Sequence, residues 1–189
     1  MKVSIFCLLI FFLVSCRGKF VPDPIDPDLP KYSAKGYDAA GAMVNGKVWR
    51  AVVRCGGFLG CSNEMTFQPF DSSSIEIRFD GELLDQNKIE EEGFLFSIIL
   101  EDVHLRELKD LEKLRGMKYD LGIGNYAHAG DYENEVMCTS SRGQLFFSEI
   151  ELKNDGYIVA GTFGFVIEGD GCKKVEVYSG RFDYWIGSL

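Results

Sequence analysis

Residues 144–184 read QLFFSEIELKNDGYIVAGTFGFVIEGDGCKKVEVYSGRFDY, and this stretch decides the fold class. Two turn sequences, NDG at 154–156 and GDG at 169–171, separate three segments rich in β-branched and aromatic residues. In the middle segment one parity is apolar, as in a strand with one buried face, at Val159, Phe163, Phe165 and Ile167. The stretch therefore predicts a meander of three antiparallel strands.

The third segment changes its parity partway along. Val175 and Val177 share one parity, whereas Phe182 and Tyr184 fall on the other. One extra residue at Ser179-Gly180 restores the inward face, so this pair predicts a β-bulge.

The preceding part of the chain also shows mainly strand patterns. Residues 42–49, AMVNGKVW, predict a hairpin, because Asn45-Gly46 supplies the two positive-φ positions of a type I′ turn. Residues 74–80 alternate in polarity, and Asp80-Gly81 is predicted to turn the chain after that strand. Residues 94–100 are apolar on both parities almost throughout, so we expect a strand that is covered on both faces.

A single helix is expected. Residues 101–115 carry a leucine at every third position from Leu105 to Leu114, and Gly116 suits the position after a helix end. We expect this leucine stripe to pack on a sheet edge or barrel mouth. Residues 119–141 are rich in Gly, Asn and Asp and are predicted to form long loops with at most a short strand. The predicted fold is mainly β: a single antiparallel β-sandwich or a partly open β-barrel with one short helix.

Composition narrows the class of protein. The 189 residues include 20 Lys+Arg and 29 Asp+Glu, for a formal charge of -9, and 46% are hydrophobic. This content of apolar residues is too high for a disordered chain. Because an acidic protein is repelled by the phosphate backbone, we expect no nucleic-acid partner.

The amino terminus has the features of a bacterial lipoprotein signal peptide, predicted here as residues 1–15. Lys2 supplies the positive start, and residues 3–14 are almost entirely apolar. At about 1.5 Å per residue this run covers roughly 18 Å, too short for the ~30 Å hydrocarbon core of a bilayer. The sequence LVSC at 13–16 resembles a lipobox, which implies cleavage before Cys16 and lipidation of its thiol. A triacylated Cys16 would anchor the chain to a bacterial membrane stably.

Residues 16–34 are predicted to be a lipidated, Pro-rich tether, and residues 35–189 a β-rich globular domain. Prolines stand at 22, 24, 27 and 30, and Pro-rich segments favour extended polyproline II. At ~3.1 Å per residue, about fifteen residues span up to about 45 Å. The intervening prolines prevent the tight loop that wraps a calcium ion, so a solvated spacer is expected despite Asp23, Asp26 and Asp28.

Four cysteines remain after Cys7 and Cys16 are set aside, and an even number in an exported domain suggests disulfides. Three pairings are open, and we favour Cys55–Cys61 with Cys138–Cys172, because the glycine-rich span 56–60 lets the first pair approach. Loop closure in the unfolded chain gives about 2 kcal/mol for the short loop and about 4 kcal/mol for the long one. Free buried thiols and a four-thiolate zinc site are the alternatives, although the CxxC pairs common in zinc sites are absent.

Three motifs carry a resemblance to a known group of proteins. GAMVNGKVW at 41–49 soon after the lipobox, GTF at 161–163 and SGRFD at 179–183 look like small β-rich lipoproteins of the Bacteroidota, which belong to domain families of unknown function. The resemblance implies an exported, lipid-anchored, outer-membrane protein and assigns no activity. Surface-exposed lipoproteins of that phylum often carry acidic residues after the lipidated cysteine. This chain has Arg17-Gly18-Lys19 there, which favours the periplasmic face.

No catalytic constellation is visible in the sequence, so we predict no catalytic residues, no metal site and no cofactor. Only His104 and His128 are present, and no GxSxG elbow occurs. Most aromatic residues fall on predicted inward parities and are expected to form the core. Tyr126 and Tyr132, in a predicted loop, are the candidate ligand contacts.

The sequence thus predicts a non-enzymatic envelope lipoprotein that binds or assembles with an envelope protein or a glycan. Three alternatives remain. An acidic protein is suited to inhibit a cationic host hydrolase such as a lysozyme. A carboxylate-dependent glycan hydrolase would use two of the many acidic residues. The third alternative is a protein that binds a small apolar ligand in the mouth of a barrel.

Overall fold

The computed structural model describes residues 22–25, 28–52, 65–69, 71–84, 92–131, 138–169 and 171–187. Its elements are ten strands and one 3₁₀ helix, which in chain order are β1 (Ala39–Val44), β2 (Lys47–Ala51), β3 (Met65–Pro69), β4 (Ile75–Leu84), β5 (Glu92–Leu100), the 3₁₀ helix (Leu108–Leu114), β6 (Lys118–Leu121), β7 (Tyr126–Asp131), β8 (Ser140–Lys153), β9 (Gly156–Gly169) and β10 (Cys172–Ile186). The predicted mainly β class with one short helix is confirmed.

All ten strands belong to one antiparallel sheet that curls into a nearly closed barrel. The strand order is β6-β8-β9-β10-β1-β2-β4-β5-β7. β2 and β3 pair with successive halves of β4 on the edge that β5 leaves open. A single bridge between His128 of β7 and Thr139, just before β8, brings the two ends of the sheet together. Of the two predicted architectures, the chain therefore adopts the partly open barrel.

Aromatic rings fill the middle of the barrel. The ring of Phe96 lies 5.2 Å from that of Phe79, 5.1 Å from that of Phe163 and 4.4 Å from that of Trp49, centroid to centroid. Trp49 is fully buried, and its indole N–H donates to the carbonyl of Phe94 at 2.8 Å. Because these rings come from strands around the barrel and contact one another, the apolar-ligand alternative gains no support from its interior.

Two of the predicted turns and the bulge are confirmed, while the predicted turn at 169–171 includes Asp170, which lies outside the described residues. Asn45 and Gly46 have φ values of 50° and 82° between β1 and β2, as a type I′ hairpin requires. Asn154-Asp155 turns β8 into β9, and β9 and β10 complete the meander. The register of β10 shifts between Val177 and Gly180, where Ser179 has a φ of 54°.

The predicted turn at Asp80-Gly81 is wrong, because β4 runs straight through it to Leu84. Gly81 serves a packing role there: a Cβ atom would lie 2.4 Å from the ring of Trp49 and 2.3 Å from the carbonyl oxygen of Arg50. The indole therefore lies directly on the backbone of β4, which only glycine permits.

The region from residue 101 to residue 141 also differs from expectation. The helix is a 3₁₀ helix of seven residues that begins only at Leu108, although Leu111 and Leu114 are buried and Leu105 and Leu108 pack against the same core. In it the carboxylate of Asp110 accepts the N–H groups of Arg106 and Glu107, which favours an extended start before the helix. The expected loops after the helix contain β6 and β7, whose pairing with distant strands the local sequence did not indicate.

Residues 28–38, here called the strap, lie along the outside of the barrel instead of forming a solvated spacer. Leu29 is fully buried, and a Cβ at Gly41 of β1 would lie 2.4 Å from the ring of Pro30. Burial of one leucine side chain stabilises by about 1.5–3 kcal/mol, which offsets part of the cost of ordering the strap. The role of residues 16–34 as the link to a lipidated Cys16 stays a prediction.

Candidate functional site

The most promising site is an open groove of about 480 Å³ on the outer face of β8, β9 and β10. We call it the outer groove and define it by Tyr32, Gln144, Phe146, Thr162, Gly164 and Arg181, with Ser179 at the bulge. Register explains the assembly: Phe146 pairs with Thr162 and Thr162 with Arg181, so these side chains form one row across three strands. Gln144 and Gly164 pair in the next row.

The strap supplies one wall of the outer groove through Tyr32, whose side chain is 45% exposed. Asp183 on β10 holds the strap in place, since its carboxylate accepts the Ser33 hydroxyl, the Lys35 N–H at 3.0 Å and the Gly36 N–H at 2.7 Å. Further along, the Trp185 N–H donates to the carboxylate of Asp38 at 2.8 Å. Burial, opposed by this hydrogen bond and assisted by the negative charge of Asp183, raises the pKa of Asp38.

The positive charge in the outer groove is compensated. Nη1 of Arg181 lies 2.7 Å from a carboxylate oxygen of Asp23 and also donates to the carbonyl of Pro30 at 3.2 Å. Both side chains of this ion pair are about 15% exposed, so the pair is shielded from solvent more than a surface salt bridge. The amide of Gln144 donates to the carboxylate of Asp120 at 3.1 Å. The outer groove consequently offers hydroxyl and amide groups and aromatic rings to a ligand.

The predicted disulfide between Cys138 and Cys172 is present and connects the start of β8 with the start of β10, across 34 positions of sequence. These two sulfur atoms are therefore unavailable to a four-thiolate zinc site. Among the residues that the structure describes, no group of three or more His, Cys, Asp or Glu side chains is arranged to hold a metal ion. Cys16, Cys55, Cys61 and Tyr132 lie outside the described residues.

Tyr126, the other predicted ligand contact, lies on the outer face of β7, away from the outer groove. Its ring meets that of His128 edge-on at a centroid distance of 5.0 Å. Burial and the negative charges of Glu101, Asp71 and Glu76, in that order, raise the pKa of the Tyr126 phenol. A ligand contact at Tyr126 stays a prediction.

In the described structure each histidine ring lies near a backbone carbonyl oxygen. Nδ1 of His128 lies 3.4 Å from the carbonyl oxygen of Cys138, and Nδ1 of His104 lies 3.3 Å from that of Ser72. The hydroxyl of Ser140, close to His128 in sequence, accepts the Ala127 N–H at 2.9 Å and so closes the barrel seam. Both histidines have structural partners at these positions.

Sequence patterns alone do not indicate the outer groove. Its residues come from the strap and from three strands, and each taken alone is an ordinary outward-facing residue of a sheet. The signal available in the sequence was the outward parity of Phe146, which places an aromatic ring on the face opposite the core.

None of the helices in the described ranges combines the length and the apolar character that crossing a membrane requires. Comparisons of the chain with protein-family models, with curated proteins and with solved structures found no match.

Proposed function

We propose that this protein is a lipid-anchored binding protein of the bacterial cell envelope that uses the outer groove to hold its partner. The observation that carries the binding role is the grouping of Tyr32 on the strap with Phe146 and neutral polar side chains on β8, β9 and β10, which pair with one another. On a rigid scaffold of this kind, binding costs little conformational entropy, because the side chains of the site are already held in place. The LVSC sequence at 13–16 supports the lipid anchor, and Arg17-Gly18-Lys19 supports an outer-membrane protein that faces the periplasm.

The chemistry of the outer groove supports binding over catalysis. General acid–base catalysis, and the activation of a Ser, Thr or Tyr hydroxyl as a nucleophile, most often use a His, Cys, Lys, Asp or Glu side chain as the base. The described residues that line the outer groove include none of these, while the nearby Asp23 and Asp120 are engaged with Arg181 and Gln144. A hydrolase would need an acid pair elsewhere on the chain, and release of products from envelope or dietary polysaccharides would contradict the proposal.

The anchor is tested by growing the native host, or a bacterium that lipidates its envelope proteins, with an alkyne analogue of palmitate. We expect the wild-type protein to carry the label and to fractionate with membranes. The Cys16→Ala variant is expected to lose both, because it lacks the acylated thiol. Cys7→Ala, a cysteine change within the predicted signal peptide, is the matched control and is expected to keep the label. A labelled Cys16→Ala protein or an unlabelled wild type would contradict the proposal.

A second candidate, inhibition of a cationic host hydrolase, is favoured by the formal charge of -9. Opposite charges accelerate encounter and make it sensitive to salt. A pull-down with a lysozyme at low and moderate salt tests it. Capture that weakens with salt and inhibits the enzyme would support this candidate over the first.

A further inference from the structure

We propose that the outer groove binds a neutral glycan chain through stacking on Tyr32 and Phe146. This inference rests on the proposed binding function and specifies its ligand class. It follows from three features of the described residues: the backbone beneath the groove, the charges beside it and the groups that face its opening.

The backbone beneath the outer groove cannot hold a peptide by strand addition. β9 forms the floor and lies between β8 and β10, pairing with β8 along residues 157–167 and with β10 on both sides of the bulge at Ser179. Because both of its edges are occupied, β9 offers no free edge to a further strand. A peptide that binds by strand addition obtains its affinity from unpaired backbone groups at a sheet edge. The ligand must accordingly be recognised by side chains.

The charges beside the outer groove disfavour an ionic ligand. Arg181 is the cationic residue among those that line it, and its guanidinium is held by Asp23 at 2.7 Å and by the Pro30 carbonyl at 3.2 Å. An anionic ligand would have to compete with a carboxylate that is already shielded from solvent. A cationic ligand finds no carboxylate among the described lining residues. A neutral ligand meets neither obstacle, because it needs no counter-charge in the groove and does not compete with Asp23 for Arg181.

The groups that face the opening match a chain of sugar rings. A pyranose has an apolar face of C–H groups and a rim of hydroxyls, and it pairs with an aromatic ring flanked by amide and hydroxyl groups. Tyr32 and Phe146 supply the rings, while Gln144, Thr162 and Ser179 supply polar groups of both hydrogen-bonding senses. Gly164 leaves the floor without a side chain, so a flat ring can approach the sheet. The volume of about 480 Å³ lies within the range of small-molecule sites.

Isothermal titration of the purified protein tests the inference, with neutral hexasaccharides of glucose, mannose, xylose and N-acetylglucosamine as probes. Polygalacturonate and heparin serve as charged polymers for comparison. We expect binding to at least one neutral probe, with an affinity that changes little between about 50 and about 500 mM NaCl because no charge pairs form. Tyr32→Ala and Phe146→Ala are each expected to weaken it about tenfold or more, as loss of an aromatic anchor does.

Trp185→Ala is the matched control. Trp185 is 45% exposed, as Tyr32 is, and lies on β10 four residues beyond Arg181, outside the residues that line the outer groove. We expect it to leave affinity unchanged. Equal loss in all three variants would overturn the inference, as would binding confined to the charged polymers.

Photo-crosslinking in cells separates failure of the ligand class from failure of the binding function. A benzoylphenylalanine placed at Tyr32 that captures a protein, with no neutral probe bound, overturns the glycan inference and keeps the binding function. Absence of both capture and binding overturns the two together. Binding of a neutral probe that is lost in Tyr32→Ala and kept in Trp185→Ala supports both the glycan inference and the binding function.

Discussion

Substitution of Gly81 by alanine gives the sharpest test of the packing between Trp49 and β4. A Cβ at position 81 would lie 2.4 Å from two ring carbons of Trp49 and 2.3 Å from the carbonyl oxygen of Arg50. Carbon atoms in ordinary contact are about 3.5–4.0 Å apart. The indole of Trp49 and the Arg50 carbonyl of β2 must therefore each move by about 1 Å relative to position 81 of β4. The indole cannot move freely, because its N–H is bound to the Phe94 carbonyl and its ring packs on Phe96.

The magnitude follows from two opposing effects. Overpacking of a core costs about 1–3 kcal/mol, and we take the upper end because one clash is with backbone. Replacement of glycine by alanine also restricts the unfolded chain, which returns about 0.4–1 kcal/mol. The free energy of unfolding should therefore fall by about 2 kcal/mol. For a protein of this size, that loss lowers Tm by about 4–8 °C.

Urea unfolding followed by tryptophan fluorescence measures this loss directly. Gly169→Ala is the matched control, since a Cβ at position 169 near the end of β9 meets no atom within 4 Å. We expect the control to change the free energy of unfolding by less than about 0.5 kcal/mol. An unchanged midpoint in Gly81→Ala, or an equal loss in both variants, would refute the described packing of Trp49 on β4.

Three further predictions concern the disulfide and two carboxylates. Replacing Cys138 and Cys172 together by serine should lower the free energy of unfolding by about 4 kcal/mol, from loop closure over 34 positions, in urea titrations. Because the pKa of Asp38 is raised in the folded state, stability falls as pH rises through that pKa. Asp38→Asn keeps the acceptor for Trp185, so it should stabilise the protein slightly at neutral pH and have no effect at low pH in thermal melts. The Lys113 ammonium, with the Arg106 and Glu107 N–H groups, lowers the pKa of Asp110 to about 2. The ionised carboxylate of Asp110 therefore contributes fully to the free energy of unfolding above about pH 4, and this contribution is lost as the pH falls toward 2. Asp110→Asn should accordingly make the free energy of unfolding less dependent on pH between about pH 2 and about pH 4.

Local patterns predicted the elements whose partners are neighbours in sequence. The β1–β2 hairpin, the β8–β9–β10 meander and the bulge at Ser179 depend on adjacent segments, so turn chemistry and parity are enough to place them. Asp80-Gly81 carries the same turn signal as Asn45-Gly46. In this case the need of Trp49 for a bare backbone explains the glycine, and that need arises from a strand far away in sequence.

Local sequence patterns could not predict the candidate site. The outer groove exists because the strap crosses β10. The strap docks through the buried Leu29 and through contacts with Arg181 and Asp183, which lie more than a hundred positions further along the chain. Proline content predicted an extended spacer, whereas Pro22 is bridged back to Pro30, and composition carries no information on which surface such a segment will meet. The predicted Tyr126 was chosen from loop composition, whereas Tyr32 acquires its place from tertiary contacts alone.

Docking of the strap limits the distance between the outer groove and the position of Cys16, and therefore between the groove and any membrane surface to which a lipidated Cys16 is attached. The backbone of Pro22 is already bridged to that of Pro30, and Asp23 is bound to Arg181 at the groove itself. Six peptide steps from position 16 to position 22 reach at most ~22 Å, about half the length of a free spacer. On a lipidated chain the groove would therefore sample molecules in the layer next to the headgroups. Inserting residues between 17 and 21 would lengthen this link. The outer groove could then reach ligands farther from the membrane surface, while every contact of the groove stays as it is.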